Sequence, residues 1–150
     1  MSTILVAAAV LRLWHLDRNG FGNGYYAAAV RSMLATPSNF FFGAFDPAGF
    51  ITVDKPPVAI WVQALSAKIF GYRGLSLLVP QAVMGIATAA ALFLQIRRLY
   101  GEASCLLAAA VVTFTPIAVA VDRDNLPDSL LTLLLVLTAG ALIRSIASNS

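Results

Sequence analysis

The sequence predicts an all-α polytopic membrane protein, with about four transmembrane helices and a long external segment after the first of them. Hydrophobic residues make up 59% of the 150 residues, and charged residues only 11%, whereas soluble domains carry about 25% charged residues. Two uncharged apolar runs are long enough to cross a bilayer, which takes about 20 helical residues. The net charge is only +3 and the basic residues are scattered, so nucleic-acid binding has no support.

The apolar runs define four predicted spans, over residues 2–16, 75–96, 103–121 and 126–144. The first is short and contains Arg12, so we expect either that Arg12 reaches toward the membrane interface or that the span is clipped at its start. The second and third spans contain no charged residue. The fourth carries Asp128 near its beginning and is otherwise apolar up to Arg144.

The external segment, residues 17–74, is too long to be a structureless loop. Residues 25–34 are rich in alanine, and residues 56–70 begin with proline, which favours the first position of a helix. Large apolar residues recur on one face of the second helix, which is typical of a helix lying flat in the membrane interface. Between the two helices we predict an aromatic cluster at headgroup depth, formed by Phe40, Phe41, Phe42, Phe45 and Phe50.

The short loops indicate the orientation in the membrane. The loop at 97–102 is net basic and the loop at 122–125 is net acidic, so the positive-inside rule places the first in the cytoplasm. A count of Lys and Arg in the long segment opposes this assignment, but interfacial segments held by the protein are not simple loops. In either orientation, an even number of crossings brings residues 17–74 and 122–128 to one face. All six aspartates then share that face: Asp17, Asp46, Asp54, Asp122, Asp124 and Asp128.

Asp54 and Lys55 stand directly before the second predicted helix of the external segment. A helix N-terminus attracts anions, and Lys55 adds a positive charge, so this position suits a phosphate group. Asp54 could be the helix N-cap, a proton acceptor or a metal ligand. The purely structural alternative is that Asp54 only caps the helix and Lys55 only reaches lipid headgroups.

The loop before the fourth predicted span carries Asp122, Arg123, Asp124 and Asp128. Three carboxylates at a membrane surface are costly unless they are paired or solvated. One interpretation is a cluster that accepts a proton or holds a divalent cation. The alternative is a solvated turn with acids at a helix start.

Five short motifs follow one another along the chain: YYAAA at 25–29, FFFG at 40–43, ITVDKPP at 51–57, RRLYG at 97–101 and NLPD at 125–128. In this order they resemble the bacterial branch of the family 39 glycosyltransferases. These GT-C enzymes are related to protein O-mannosyltransferases and to the aminoarabinose transferases of lipid A. The Asp-Lys-Pro-Pro segment is the most specific part of the resemblance.

The resemblance implies transfer of a sugar, with inversion, from a polyprenyl-phosphate donor to an acceptor hydroxyl on the extracytoplasmic face of the plasma membrane. Membrane lipid and the lipid-linked sugar are the expected partners. Asp54 and Asp128 are the candidate catalytic residues, and Lys55 and Arg123 are the candidate phosphate contacts. A divalent metal held by Asp54 and Asp128 is left open, and no other cofactor is expected. The candidate supporting residues are Asn23, Tyr25, Tyr26, Asp122 and Asp124.

The chain departs from the family pattern at Gly22 and Asn23, where relatives usually carry an Asp-Glu pair. An asparagine side chain is not a useful base, so either Asp54 or Asp128 is expected to be the base, or this copy is inactive. Relatives are also several times longer. We therefore expect an N-terminal fragment that does not turn over by itself.

Two other classes of function remain open from the sequence. The chain could be part of a transporter or channel, which charges paired within the spans would support. It could also be a non-catalytic scaffold that binds anionic lipid through Lys55, Lys68 and Arg73.

Overall fold

The computed structural model describes residues 1–148, and their regular structure is helical. The elements are α1 (Ser2–Leu13), a short 3₁₀-helix (Leu16–Asn19), α2 (Gly24–Met33), α3 (Pro37–Phe42), α4 (Val58–Phe70), α5 (Gly74–Phe114), α6 (Pro116–Asp122) and α7 (Asp128–Ser148). Within the described residues, β structure is limited to an isolated bridge between Ala44 and Thr52. The predicted all-α class is therefore confirmed, and α2 and α4 are the two helices expected in the external segment.

The longest helix, α5, reverses its direction at Gly101. The backbone there has φ of 81° and ψ of −172°, a conformation that glycine adopts without steric cost. Phe93 packs in one cluster with Ala109, although these residues would lie about 24 Å apart along an unbroken helix. The two arms, residues 74–100 and 102–114, therefore run antiparallel. The turn lies in the basic loop that the sequence predicts between its second and third spans.

Two helices in residues 1–148 are long and apolar enough to cross a membrane. They are α5 and the part of α7 from Asp128 to Ile146, each with a mean hydropathy of 2.0. Half of the apolar window of α5 is buried, at 50%, against 11% for α7. α1 has 12 residues, fewer than the roughly 20 that cross a bilayer. The helices thus support a membrane protein and do not by themselves fix the number of crossings at four.

A second break, at Thr115, separates α5 from α6. Pro116 begins α6, and because proline has no N–H, the carbonyl of Val112 loses its usual helical donor. The Arg12 guanidinium replaces that donor, since Nη2 donates to Val112 O at 3.2 Å and Nη1 donates to Thr113 O at 3.4 Å. Arg12 is fully buried, so the expectation that it reaches toward the membrane interface is wrong.

The charge of Arg12 is balanced by Asp122 at the end of α6. Arg12 Nε lies 2.8 Å from Asp122 Oδ2, and the Ser129 hydroxyl donates to Asp122 Oδ1 at 2.7 Å. A Cβ at Gly85 would overlap the Asp122 carboxylate, so the absence of a side chain there lets the ion pair lie against α5. The pair thereby joins α1, α5, α6 and α7.

The contacts along α1 show which segments share an end of the helical bundle. Ile4 packs beside Phe93, toward the turn within α5, whereas Arg12 lies beside the end of α6. The segment after α1 and the loop after α6 therefore lie at the same end, opposite the basic turn. Asn19 Nδ2 donates to Arg123 O at 2.9 Å across them. The two segments that were predicted to share one membrane face therefore lie at the same end of the helical bundle.

Helix α4 exposes several of its large apolar side chains, whereas Ile60 and part of Trp61 are packed in the core. Val58, Leu65 and Ile69 are exposed by 45%, 50% and 73%, as expected for a helix whose apolar face meets lipid. The opposite face, which carries alanines and Gln63, is buried and packs against α2 and α5. Small residues at such contacts let membrane helices approach closely.

The predicted phenylalanine cluster is divided between the protein interior and its surface. Phe40 and Phe45 pack against the core formed by α2 and α4. Phe41, Phe42 and Phe50 are exposed, where they can anchor the external segment at headgroup depth.

Candidate active site

The N-terminus of α2 is fastened to the loop between α6 and α7. Asn23 caps the helix, because its Oδ1 accepts a hydrogen bond from the Tyr25 N–H at 2.9 Å. The N–H of Asn23 itself donates to Asp124 Oδ1 and Asn125 Oδ1, each at 2.7 Å. Gly22 has φ of +68°, and a Cβ there would overlap the Asp124 carboxylate. The two positions that depart from the family pattern therefore have structural roles here.

Asn125 connects the same loop with α4. Its side chain is fully buried, and Nδ2 donates to Asn23 O at 3.1 Å. Its main-chain carbonyl accepts a hydrogen bond from Gln63 Nε2 at 2.9 Å. Three segments that are distant in sequence therefore meet at Asn125. Sequence reasoning missed Asn125 and Gln63 as site-forming residues, although the position of Gln63 opposite the large apolar face of its helix was a usable signal.

Asp54 and Lys55 are exposed at this end of the bundle. The N–H of Asp54 donates to the Tyr25 hydroxyl at 3.3 Å. The N-cap of α4 is Pro57, with no side-chain capping bond, so the interpretation of Asp54 as a helix cap is wrong. Across residues 1–148, neither the Asp54 carboxylate nor the Lys55 ammonium has a hydrogen-bonding or ion-pair partner. Both groups are free to engage a ligand.

The Tyr26 hydroxyl lies within electrostatic range of acids from two segments. The residue is only 6% exposed. Burial raises the pKa of its hydroxyl above the ordinary 10.0, and the charges of Asp54 and then Asp128 raise this pKa further. Tyr26 is therefore a protonated O–H donor at neutral pH.

Asp128 lies in the first turn of α7 and is exposed. Within the described part of the chain its carboxylate has no hydrogen-bonding or ion-pair partner. Such a carboxylate can accept a proton, and a free ammonium such as that of Lys55 can stabilise a phosphate. The structure therefore leaves Asp54, Lys55 and Asp128 available for chemistry.

The other charged candidates are held in structural contacts. Asp122 is the partner of the buried arginine in α1. Arg123 Nη1 donates to the carbonyls of Leu11 and Trp14, both at 2.9 Å, and so closes the end of α1. Asp124 Oδ1 accepts two main-chain N–H groups. These three residues build the loop that presents the site.

A divalent cation at this site would have Asp54 and Asp128 as its protein ligands. Residues 1–148 contain no group of three His, Cys, Asp or Glu side chains that could hold a metal ion. Mg²⁺ is usually bound through one or two carboxylates together with substrate phosphates and water. Two carboxylates are as many as such a phosphate-bound metal needs, and they do not form a complete metal cage.

A groove lies between the 3₁₀-helix, the end of α4 and the start of α5. Its volume is about 690 Å³, and Asp17, Phe21, Ile69 and Arg73 are among its lining residues. Asp54, Lys55 and Asp128 do not line it. The site is therefore assigned from its chemistry, and the chain on its own does not enclose it.

Known proteins resemble this chain over most of its length. "Putative mannosyltransferase YycA" and "Putative mannosyltransferase YkcB", both of Bacillus subtilis (strain 168), are each 43% identical to it over 143 residues, or 95% of the chain. An uncharacterized protein of Aquifex aeolicus (strain VF5) is 27% identical over 129 residues, or 83% of the chain. The chain spans only 21%, 20% and 25% of these three relatives. No solved structure matches it.

Residues 54–150 match the sequence model of a protein family described as "Dolichyl-phosphate-mannose-protein mannosyltransferase". The match begins at Asp54, covers well over half of the chain and contains both helices that are long enough to cross a membrane. It agrees with the resemblance carried by the motifs around Lys55. The chain therefore belongs to the dolichyl-phosphate-mannose-protein mannosyltransferase family.

Proposed function

We propose that this chain forms the donor-binding end of a membrane glycosyltransferase that transfers a sugar from a polyprenyl phosphate to an acceptor hydroxyl. Four segments would cross the plasma membrane: α1, the first arm of α5, the second arm of α5 together with α6, and α7. The site would face outward, because the basic turn at the other end favours the cytoplasm. The chain covers about a fifth of its two Bacillus subtilis relatives, 21% and 20%, so the activity is proposed for the complete protein that contains it.

One observation carries this proposal. Asp54 and Asp128 come from segments separated by the whole of α4, α5 and α6, yet both are exposed at the end of the bundle where Asn125 links those segments through hydrogen bonds. The charges of both also contribute to the raised pKa of the Tyr26 hydroxyl. Neither carboxylate is consumed by a structural contact within residues 1–148, and Lys55 is adjacent to one of them. An unpaired base and an unpaired cation at a membrane surface suit the transfer of a group from a lipid phosphate.

The transfer we propose is a single displacement. The acceptor oxygen attacks the anomeric carbon while its proton passes to a carboxylate. The bond between the anomeric carbon and the phosphate oxygen breaks, and the electron pair of that bond leaves with the lipid phosphate. Lys55 stabilises the negative charge that develops on the phosphate. The products are a glycoside of inverted configuration and a polyprenyl phosphate.

Asp128 is the better placed of the two acids to act as the base. In an inverting displacement the incoming oxygen and the leaving phosphate lie on opposite sides of the anomeric carbon. Asp54 is next to Lys55 in the chain, and we assign it to the side of the phosphate for that reason. Asp128 comes from a different segment and is free to serve the acceptor. Asp54 then orients the donor or completes a metal site with the phosphate.

The test is transfer from a labelled polyprenyl-phosphate sugar in membranes that contain the complete protein. Lys55→Ala should lower kcat/KM by about 10²–10³, the usual loss when one stabilising donor is removed. Asp128→Asn should lower kcat by about 10²–10⁴, and more than Asp54→Asn does. Normal transfer by a Lys55→Ala/Asp54→Ala double variant would eliminate this site.

Matched controls separate a local effect from a general loss of charge. Lys68→Ala removes an exposed lysine from α4, and Asp17→Asn removes an exposed acid from the same end of the bundle. Both should keep most of the activity. The orientation is tested with a membrane-impermeant thiol reagent on intact cells, which should label Phe50→Cys and not Tyr100→Cys. The reverse labelling would overturn the outward-facing site.

A transporter is the second candidate, because the structure contains a buried ion pair between Arg12 and Asp122. Paired charges within a helical bundle often mark a transport path. Here the guanidinium also serves two helix carbonyls and the carboxylate accepts a serine hydroxyl, which favours a structural role. Solute uptake by vesicles containing the complete protein, without sugar transfer, would favour the transporter.

A further inference from the structure

A second groove runs between α5 and α7 at the end of the bundle opposite the candidate active site. Its volume is about 450 Å³. On the α5 side it extends from Ala87 to Leu99, about 18 Å along a helix at 1.5 Å per residue. This length is close to one leaflet of the hydrocarbon core, which is about 15 Å of the total of about 30 Å. The groove therefore has the length of a lipid tail in a single leaflet.

The walls of the groove are apolar, and its outer end is cationic. Ala90, Ala91 and Leu137 are among the residues that line the inner part, whereas Arg98 and Arg144 line the end near the turn within α5. Arg144 Nε donates to the Gly140 carbonyl at 3.0 Å. Arg98 has no hydrogen-bonding or ion-pair partner among residues 1–148. The groove thus joins an apolar channel to two positive charges.

The groove lies beside a tight contact between its two helices. A Cβ at Gly140 would overlap the side chain of Gln95, so α7 lies directly on α5 at this level. Because the helices touch there, the adjacent groove has a fixed wall. A small residue at a close helix contact is a common device in membranes.

We propose that this groove binds one anionic phospholipid, with its phosphate on Arg98 and Arg144 and one acyl chain along the alanine wall. Basic sites between membrane helices are suited to anionic headgroups. A second copy of this chain is a poorer occupant. Copies inserted in one membrane share an orientation, so a neighbour would bring the same arginines to the same level and like charges would meet.

This lipid site does not depend on the proposed sugar transfer. It lies at the other end of the bundle from Asp54, Lys55 and Asp128, and it uses different side chains. Its occupant would be a resident lipid and not the sugar donor, which we place on the opposite face. The two proposals can therefore fail separately.

The experiment measures lipid retained by the complete protein, by native mass spectrometry after exchange into detergent containing phosphatidylglycerol or phosphatidylcholine. The wild type should retain one phosphatidylglycerol in preference to phosphatidylcholine. Arg98→Gln should weaken phosphatidylglycerol binding about fivefold, the effect of one basic residue near an anionic headgroup. Adding Arg144→Gln should weaken it by about as much again. Ala91→Phe keeps both charges and fills the channel, and it should also lower retention.

The matched control is Arg97→Gln, which removes a neighbouring exposed arginine that does not line the groove. It should leave retention within about twofold of wild type. Equal losses in Arg97→Gln and Arg98→Gln would overturn the site in favour of a general attraction to anionic lipid. Equal retention of the two lipids by the wild type would also overturn the site. So would a failure to retain either lipid, which is expected if another helix of the complete protein fills the groove. Unfolding temperatures measured in phosphatidylcholine should match among the variants, which shows that the losses are not due to misfolding.

Discussion

Replacing Arg12 by methionine tests the buried ion pair as the main connection between α1 and the rest of the bundle. The substitution leaves the Asp122 carboxylate, in a residue that is 7% exposed, without its cation. Removing one partner of a buried pair typically costs about 3–5 kcal/mol. The Val112 carbonyl also loses its replacement donor, although hydrogen bonds in membrane proteins average only about 0.6 kcal/mol. We therefore expect Arg12→Met to lower the free energy of unfolding by about 3–5 kcal/mol.

The double variant Arg12→Met/Asp122→Leu separates the cost of an orphaned charge from the value of the pair. Replacing both charges by apolar groups is often neutral or stabilising, but here the Ser129 hydroxyl and two helix carbonyls would lose their partners. We expect the double variant to be more stable than Arg12→Met and somewhat less stable than the wild type.

The assay is reversible unfolding in mixed micelles with increasing denaturing detergent, followed by circular dichroism. Arg18→Met is the control, because Arg18 is exposed and surface substitutions usually stay within about 0.5 kcal/mol. A loss below about 1 kcal/mol for Arg12→Met, or a double variant less stable than that single variant, would refute the reasoning.

Three further predictions concern the loops and helices around the candidate site. Gly22→Ala should destabilise the fold by about 1–3 kcal/mol, the usual cost of a strained backbone position, because position 22 has a positive φ and its Cβ would meet Asp124. The control is Gly24→Ala, where a Cβ meets nothing within 4 Å. It should be close to neutral in the same unfolding assay. Gln63→Leu should cost about 1–3 kcal/mol, since it leaves a buried main-chain carbonyl without its donor, and an unchanged stability would count against that bond. Tyr26 should remain protonated above pH 10.0, its ordinary pKa. The stability that this group contributes is therefore retained at neutral pH and lost as the pH rises through its raised pKa. A phenolate absorbance titration should be the same for wild type and Tyr26→Phe below the raised pKa and should differ only above it.

The helices were predictable because their signals are local. Uncharged apolar runs gave the arms of α5, and proline at 56 and alanine at 27–29 indicated α4 and α2. α3 was missed, although Thr36 accepts the N–H of Asn39 at 3.1 Å and Pro37 opens the helix. That capping signal was hidden by the aromatic run that follows it.

The site was only partly predictable because its framework depends on contacts distant in sequence. The exposed acids and the lysine could be proposed from their type and position. The partner of Arg12 lies 110 residues away, and nothing near Arg12 in the chain reveals it. The same holds for Gln63, whose bond to Asn125 crosses 62 residues. Arg123 and Asp124 have charges that suit a site, but their side chains form hydrogen bonds that hold α1 and the start of α2 in place.

The close approach of Asp124 to Gly22 limits which side chains position 22 can hold. The carboxylate of the neighbouring loop fills the space that any side chain there would need. An acid at position 22, which the family resemblance implies for other members, would collide with Asp124. Position 22 could therefore accept such an acid only if residue 124 changed with it.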